Sequence, residues 1–292
     1  MRDRYNIRMI GLDLDGTVLN NKKNMTDKTA ATIEAAAEKG ILIVPVTGRP
    51  LAGIPGELLS LKGVRYAITS NGAVLTDVYT GEACETHFLQ NKTAELLAEM
   101  VVRNGYAYSF FINGTGWAEK HIHDSIIQKY SRTHLNSYVR DSRRPVDDIM
   151  GFLKEKPYMH FRHPVTGSLN GDCVENIWIR GEDDREADKI AGLIREIDPG
   201  VNIIRMLSTD IEVVAADADK GDTFLNLAKA EAIDVSEIMA IGDSANDVGF
   251  MKKAGLSVAM GNASDDIKKL ADHVTGDNEH DGAAEAILKF CM

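Results

Sequence analysis

The sequence predicts an α/β protein: a Rossmann-like core of parallel strands built from both ends of the chain, with an α+β domain inserted between them. Three observations lead there. Near the N-terminus, short apolar runs that read as strands buried on both faces alternate with a helical segment, within residues 9–48. The same alternation returns after residue 217. Between them, strand and helix patterns follow one another in an irregular order that no βαβ repeat accounts for. The expected boundaries are 1–83 with 215–292 for the core and 84–214 for the insertion.

Met9–Leu14 is apolar on both faces until Asp13 and reads as a buried strand. Residues 26–39, "TDKTAATIEAAAEK", read as a helix, with Thr26 as N-cap and Gly40 as the stop. "ILIVPVTG", 41–48, is a second buried strand, and strand, helix, strand with short links is a right-handed parallel crossover. In the insertion, 92–103 and 184–197 read as helices; Ala187, Ile190, Ala191, Ile194 and Ile197 of the second share one face. Strands are expected at 106–112, 174–180, 201–207 and 210–215, the last two as a hairpin. Residues 222–230 read as a helix, 238–243 "IMAIGD" as a buried strand ending in an acid, and "NDVGFMKKAG" as a helix closed by Gly255. "LSVAM" and "HVT", 273–275, complete the core strands.

The 292 residues carry a formal net charge of -11, with no long Lys/Arg block. A phosphate backbone needs clustered positive charge, so a nucleic-acid polymer is a poor partner. Cys84, Cys173 and Cys291 are too widely spaced for a disulfide framework or a Cys-x-x-Cys metal pair, which points to a reducing cytoplasm. The N-terminal apolar run is broken by Asp13 and Asp15, unlike a signal peptide, and "ILIVPV" is far too short to span a bilayer. No membrane and no obligate protein partner are expected.

The chemistry is written at strand ends. Asp13-Leu14-Asp15, Thr47-Gly48-Arg49 and Asp243 each end a core strand, the edge where open parallel sheets bind ligands. If those strands are neighbours, Asp13, Asp15, Asp243 and Asp247 converge. Four carboxylates repel unless a cation sits among them, and a hard, oxygen-preferring ion such as Mg²⁺ resolves the conflict. Lys220, Thr47 and Asn246 supply a charge, a hydroxyl and an amide suited to a phosphate. A carboxylate beside such an ion can attack phosphorus, and a second acid can move the protons.

"DLDGT", "VTGR", "DKG" and "GDSANDVGFMKKAG", in that order and spacing, resemble the haloacid dehalogenase superfamily of phosphohydrolases. The closing run "SVAMGNASDDIKKLADHVTGDNEHDGAAEAI" is similar to its Cof-type members, and the insertion fits that branch's large α/β cap by position and length. The resemblance implies Asp13 as nucleophile and metal ligand, and Asp15 as general acid/base with its carbonyl on the metal. It implies Thr47, Gly48, Lys220 and Asn246 as the phosphate site, and Asp243 and Asp247 as further metal ligands. The expected activity is Mg²⁺-dependent hydrolysis of small phosphorylated metabolites (sugar phosphates, nucleotides or phosphorylated cofactors) through an aspartyl-phosphate. A phosphomutase on the same scaffold and a non-catalytic phospho-ligand sensor are the competing readings.

Several residues carry two readings. Asp247 is either a ligand or an N-cap of the helix at 248–254, or both. Arg49 either touches substrate or pairs with a core acid. Asn71-Gly72 is a tight turn that the resemblance sets beside the site. His121, His123, His160 and His163 lack carboxylate partners at clear ligand spacing and read as surface or core residues rather than a second metal site. Tyr106, Tyr108, Phe110, Phe111, Trp117 and Trp178 read as the insertion's own core.

Overall fold

The computed structural model describes residues 5–131, 140, 142–155, 173–205 and 209–292. The chain divides into two compact units, Met1–Gly48 with Ile54–Glu82 and Asp219–Met292, and Arg49–Gly53 with Ala83–Ala218.

The first unit begins with β1 (Met9–Leu12), α1 (Asp27–Glu38) and β2 (Leu42–Pro45), followed by α2 (Gly56–Leu59), β3 (Tyr66–Thr69) and β4 (Val74–Asp77). Thr26 caps α1 by accepting from the Thr29 amide, and the chain leaves the helix through Gly40 at φ 84°. β5 (Glu82–Thr86) carries the chain onward. The second unit holds α3 (Asn91–Asn104), β6 (Ala107–Ile112), β7 (Thr115–Glu119), α4 (Lys120–Tyr130), β8 (Arg143–Val146), α5 (Ile149–Glu155), β9 (Val174–Arg180), α6 (Asp184–Ile197), β10 (Asn202–Arg205) and β11 (Asp210–Val214). The chain then returns to the first unit through α7 (Lys220–Ala230), β12 (Ile238–Gly242), α8 (Val248–Lys253), β13 (Leu256–Ala259), α9 (Asp265–Leu270), β14 (His273–Val274) and α10 (Gly282–Cys291).

The first unit's sheet has the order β14-β13-β12-β1-β2, parallel throughout. β1 thus lies between β2, thirty-odd residues on, and β12, from the far end of the chain. Met9, Ile10 and Leu12 are fully buried, as a central parallel strand covered on both faces requires. Parallel bridges from Ile43 to Val64 and from Val46 to Ile68 extend the layer toward β3, which pairs antiparallel with β4.

The second unit is a six-stranded sheet, β10-β11-β9-β6-β7-β8, antiparallel except for β7 with β8. One face is apolar: Tyr108, Phe110, Ile177, Ile179, Ile211 and Val213 pack in one cluster with Leu97 and Val101 of α3 and Ile190 and Ile194 of α6. The six aromatics expected in the insertion's core belong to this cluster, with Trp117 partly buried. The β10–β11 hairpin forms as expected, and residues 206–208 of its connection lie outside the described residues.

The β3–β4 hairpin, β7, β8, α4 and α5 were not evident in the sequence. β7, "TGWAE", is short and carries a glycine, and four-residue strands leave little alternation to read. Among the described residues no helix is long and apolar enough to cross a membrane.

Candidate active site

The C-terminal ends of β1, β2 and β12 lie side by side because the three strands are neighbours. Past β1, the Asp13 amide donates to the Ile241 carbonyl at 3.0 Å, which holds the loop against β12 and leaves the Asp13 side chain buried. Gly16 then turns the chain at φ 85°; a Cβ there would lie 2.4 Å from Asp243 Oδ2, so the turn admits only glycine. Lys220 opens α7, whose N-cap Asp219 accepts from the Gly221 and Asp222 amides. Its ammonium is buried and donates to Asp13 Oδ1 at 2.9 Å and Asp247 Oδ1 at 2.8 Å.

Asp247 does not cap α8 with its side chain. Its Oδ2 reaches back to accept from the amides of Asp243 (3.2 Å) and Ser244 (3.1 Å), so the β12–α8 loop closes on the carboxylate that faces Lys220. Asp243 accepts from Thr17 Oγ1 at 3.4 Å and from Asn262 Nδ2 at 3.2 Å; Asn262 also donates to the Gly16 carbonyl at 2.9 Å.

Oxygens of Asp13, Asp243 and Asp247 all lie within 4.8 Å of one another. One ammonium answers three carboxylates, which leaves two negative charges when all are ionised. Burial, reinforced by the Asp247 charge and opposed by Lys220, holds the Asp13 carboxyl well above the usual carboxylate range. The same two causes push Asp243 up to about 7. Burial alone would lower the Lys220 pKa, but Asp13 and Asp247 outweigh it and raise it, so the side chain stays charged. Crowded carboxylates that resist ionisation, offering only hard oxygen donors and a deficit of two charges, fit a divalent cation.

The other expected residues are placed as follows. Asp15 is not in the carboxylate cluster: it is partly exposed, and Lys23 Nζ lies 2.6 Å from its Oδ1. Thr47 and Gly48 are buried at the end of β2; the Thr47 amide donates to the Ile68 carbonyl at 2.9 Å, and its carbonyl accepts from the Asn71 amide at 3.1 Å. Ser70, Asn71 and Gly72 are three consecutive left-handed residues, at φ 51°, 56° and 95°, buried between β3 and β4. A non-glycine residue held there costs about 1 kcal/mol or more, and such strain gathers at functional sites. The turn is held by Asn246 Nδ2, which donates to Asn71 Oδ1 at 3.3 Å, and by Thr223 Oγ1, which donates to the Gly72 carbonyl at 2.8 Å.

Arg49 is buried in the second unit, where its Nη1 donates to the Gly53 carbonyl at 2.7 Å. His121 is exposed and His123 lies 3.1 Å from Asp124; His160 and His163 lie outside the described residues. Thr17, Thr223, Ser244 and Asn262 were not singled out in advance. Thr17 and Ser244 stand inside quoted motifs, whereas nothing in "MGNAS" marks Asn262 as the partner of residues some 250 positions away.

The profile of the family described as haloacid dehalogenase-like hydrolase matches residues 10–287. The chain belongs to this family. Across the full chain it is 27% identical to the 5-amino-6-(5-phospho-D-ribitylamino)uracil phosphatase YcsE of Bacillus subtilis, covering 98% of that protein. It is 26% identical to the pyridoxal phosphate phosphatase YbhA of Escherichia coli, over 98% of this chain and 99% of the other. Among solved structures, a haloacid dehalogenase-like hydrolase from Bacteroides thetaiotaomicron superposes with a TM-score of 0.79 at 26% identity, covering 97% of this chain and 99% of that one. The haloacid dehalogenase-like chain is therefore an enzyme, a phosphatase of this family, with a carboxylate cluster suited to the divalent metal that such hydrolases use.

Proposed function

We propose that the protein hydrolyses small phosphate monoesters with Mg²⁺, through an aspartyl-phosphate on Asp13. The single observation that carries this reading is the buried Asp13–Lys220–Asp247 arrangement, with Asp243 completing a cluster of three carboxylates. Asp13, Asp243 and Asp247 would hold the ion, with the Asp15 backbone carbonyl. When bound, it supplies positive charge that lets Asp13 ionise and that offsets charge on the phosphate oxygens.

Asp13 Oδ attacks phosphorus, the new O–P bond forms, and the bond to the ester oxygen breaks. Asp15, near solvent and able to exchange protons, delivers a proton to the departing alkoxide. The same carboxylate then takes a proton from water, which attacks the phosphoryl group, releases inorganic phosphate and restores Asp13. Lys220 holds the Asp13 carboxylate in a fixed orientation and, with Thr47 and Asn246, neutralises the transferring group. The rigid left-handed turn at Ser70–Gly72 keeps Asn71 against Asn246.

We assign selection of the organic moiety to the second unit, as a specificity domain spanning 84–214. The relatives named for phosphorylated ribitylaminouracil and pyridoxal phosphate act on compact esters with unrelated organic parts, which favours a small soluble metabolite for this chain too. Its three free cysteines favour the cytoplasm as its compartment.

The test is phosphate release from phosphorylated sugars, nucleotides and cofactors, with Mg²⁺ and with EDTA, by the wild type and Asp13→Asn. Release that needs Mg²⁺ and disappears in the variant is expected. A folded, Mg²⁺-binding wild type that releases nothing from any ester would overturn the reading.

A further inference from the structure

Two tight loops follow one another after Asp13, both within the first unit. In the first, the Thr17 and Leu19 amides donate to the Leu14 carbonyl at 3.2 and 2.9 Å. In the second, the Lys23 amide donates to the Asn20 carbonyl at 2.8 Å, and the Asn20 amide donates to the Asn24 carbonyl at 3.0 Å. Asn20 Oδ1 accepts from the Lys22 and Asn24 amides at 2.9 and 3.1 Å, so one side chain closes the turn from within. Both loops are fastened to the C-terminal part of the same unit. Asn278, itself buried, donates from Nδ2 to the Leu19 carbonyl at 3.0 Å, and the Asn21 amide donates to Glu279 Oε1 at 2.5 Å. The Asn278 amide donates to Asn262 Oδ1 at 3.0 Å, and Asn262 is the residue that holds the Gly16 carbonyl.

This frame keeps Lys23 in the left-handed region, at φ 63°, which costs a residue with a side chain more than it costs a glycine. The Lys23 ammonium lies 2.6 Å from Asp15 Oδ1, with 22% of the lysine side chain and 38% of the aspartate side chain exposed. An ion pair so open to water adds little to stability, so stability does not account for a lysine held in a strained turn. What the pair does supply is a fixed place for a carboxylate that lies outside the metal-site cluster. An acid–base group works only within hydrogen-bond reach of the proton it moves, and a third group that orients it keeps it there.

We infer that Lys23 is a positioning residue for the proton transfers that accompany phosphoryl transfer: its ammonium fixes Asp15 Oδ1 and leaves the moving proton to Oδ2. The inference rests on the proposed role of Asp15 as general acid/base. In the first step the Asp15 Oδ2–H bond breaks and the departing alkoxide oxygen takes the proton. In the second, Oδ2 takes a proton from the attacking water. Lys23 keeps its own protons throughout and touches no reacting atom.

The test reads how the rate depends on the leaving group. An alkoxide needs a proton as it departs, whereas p-nitrophenolate leaves without one. The quantity is kcat/KM with Mg²⁺, for an alkyl phosphate that the wild type hydrolyses and for p-nitrophenyl phosphate. Asp15→Asn sets the reference, a loss of about 10²-fold or more on the alkyl ester and a far smaller one on the aryl ester. Lys23→Met is expected to lower the alkyl rate about tenfold and to leave the aryl rate within about twofold of wild type. Asn20→Ala loosens the turn but keeps the lysine; the same selectivity is expected at a smaller size, and this variant carries the test if Lys23→Met does not fold. Lys23→Arg keeps a cationic donor and is expected to restore most of the alkyl rate. Equal losses on the two esters, or no loss on either, would overturn the inference. So would a faster alkyl reaction in Lys23→Met, which would make the lysine a brake on Asp15. A wild type that hydrolyses no ester would sink the proposed activity and this inference with it, whereas an active enzyme without the selectivity sinks the inference alone.

Discussion

Among the described residues, the two units of this protein differ in how completely their buried polar groups are partnered. Beyond the strand ends of the first sheet lies a group of buried charges whose contacts are short and specific: Lys220 to Asp13 and Asp247, Asp247 to two backbone amides, Asn262 to Asp243. The second unit also buries charged residues, Arg143, Asp210 and Glu212 among them, but it leaves some neutral polar groups without a partner. Tyr106 Oη, Ser109 Oγ and Asn176 Oδ1 are buried with no hydrogen-bond partner among the described residues. The difference teaches which buried polar groups are structural cost and which are machinery. A charge kept in the interior against desolvation demands partners that over-determine its position, and that is what chemistry needs. A neutral hydroxyl left without a partner is tolerated at a modest cost.

The comparison breaks most sharply at Asp13. Asp13→Asn is expected to keep the fold, since it relieves charge crowding, while phosphate release falls by at least about 10³-fold. A variant within tenfold of wild type would remove Asp13 from its role. The next effect is on stability. Lys220→Met leaves two buried carboxylates facing each other without their cation, a loss of about 3–5 kcal/mol that urea titration reads directly. A shift under about 1 kcal/mol would mean that Lys220 is no keystone of the cluster.

A smaller, pH-dependent effect belongs to His87, whose Nε2 lies 2.8 Å from Glu85 and Nδ1 2.9 Å from Asp217, so that it ties the two chain segments near the edges of the second unit. The Glu85 hydrogen bond, with Asp217 adding to it and burial opposing, pushes its pKa up to about 9. A raised histidine contributes stability that is fully present below its unfolded pKa of about 6.5 and is lost as pH rises through about 9. The half-buried ring is partly screened, so the contribution is set at about 1 kcal/mol. His87→Gln should flatten stability between those two pH values, measured by denaturant unfolding at a series of pH; an unchanged slope would mean that the imidazolium is not paired in solution. The smallest effects are expected in the second sheet. Tyr106→Phe and Ser109→Ala each remove an unpartnered buried hydroxyl and should shift stability by no more than about 1 kcal/mol, toward a more stable protein. A loss above about 2 kcal/mol for either would reveal a partner and erase the contrast between the sheets.

The same contrast explains what was legible in the sequence. Apolar runs ending in Asp13, Thr47 and Asp243 marked the parallel core because full burial and polar strand ends both leave local traces, and helices 184–197 and 92–103 showed in their spacing. The convergence of Asp13, Asp243 and Asp247 followed once the three strands were taken as neighbours. The pairing of Asp15 with Lys23 did not, since a side-chain rotamer at an exposed turn has no sequence period. Nor did the membership of Arg49–Gly53 in the second unit, which depends on a hydrogen bond to Gly114, sixty positions on. Glu175, the extra residue where the register of β9 with β6 slips, read as one more residue of "VENIWIR", because period-two alternation cannot reveal a change of register.

The placement of β1 between β2 and β12 has a consequence for how the protein is made. During synthesis from the N-terminus, β1 and β2 are available early, but the partner for the other edge of β1 comes some 230 residues later. Until then that edge presents unpaired amides and carbonyls beside the Met9–Leu12 run, and Asp13 lacks Lys220. The second unit, whose strands all fall within one continuous stretch, can mature while the first waits. Such long-range closure is slow relative to local contacts and leaves the growing chain open to association with other chains. The cluster of Asp13, Asp243 and Asp247 can close only once β12 and the loop that follows it have been made.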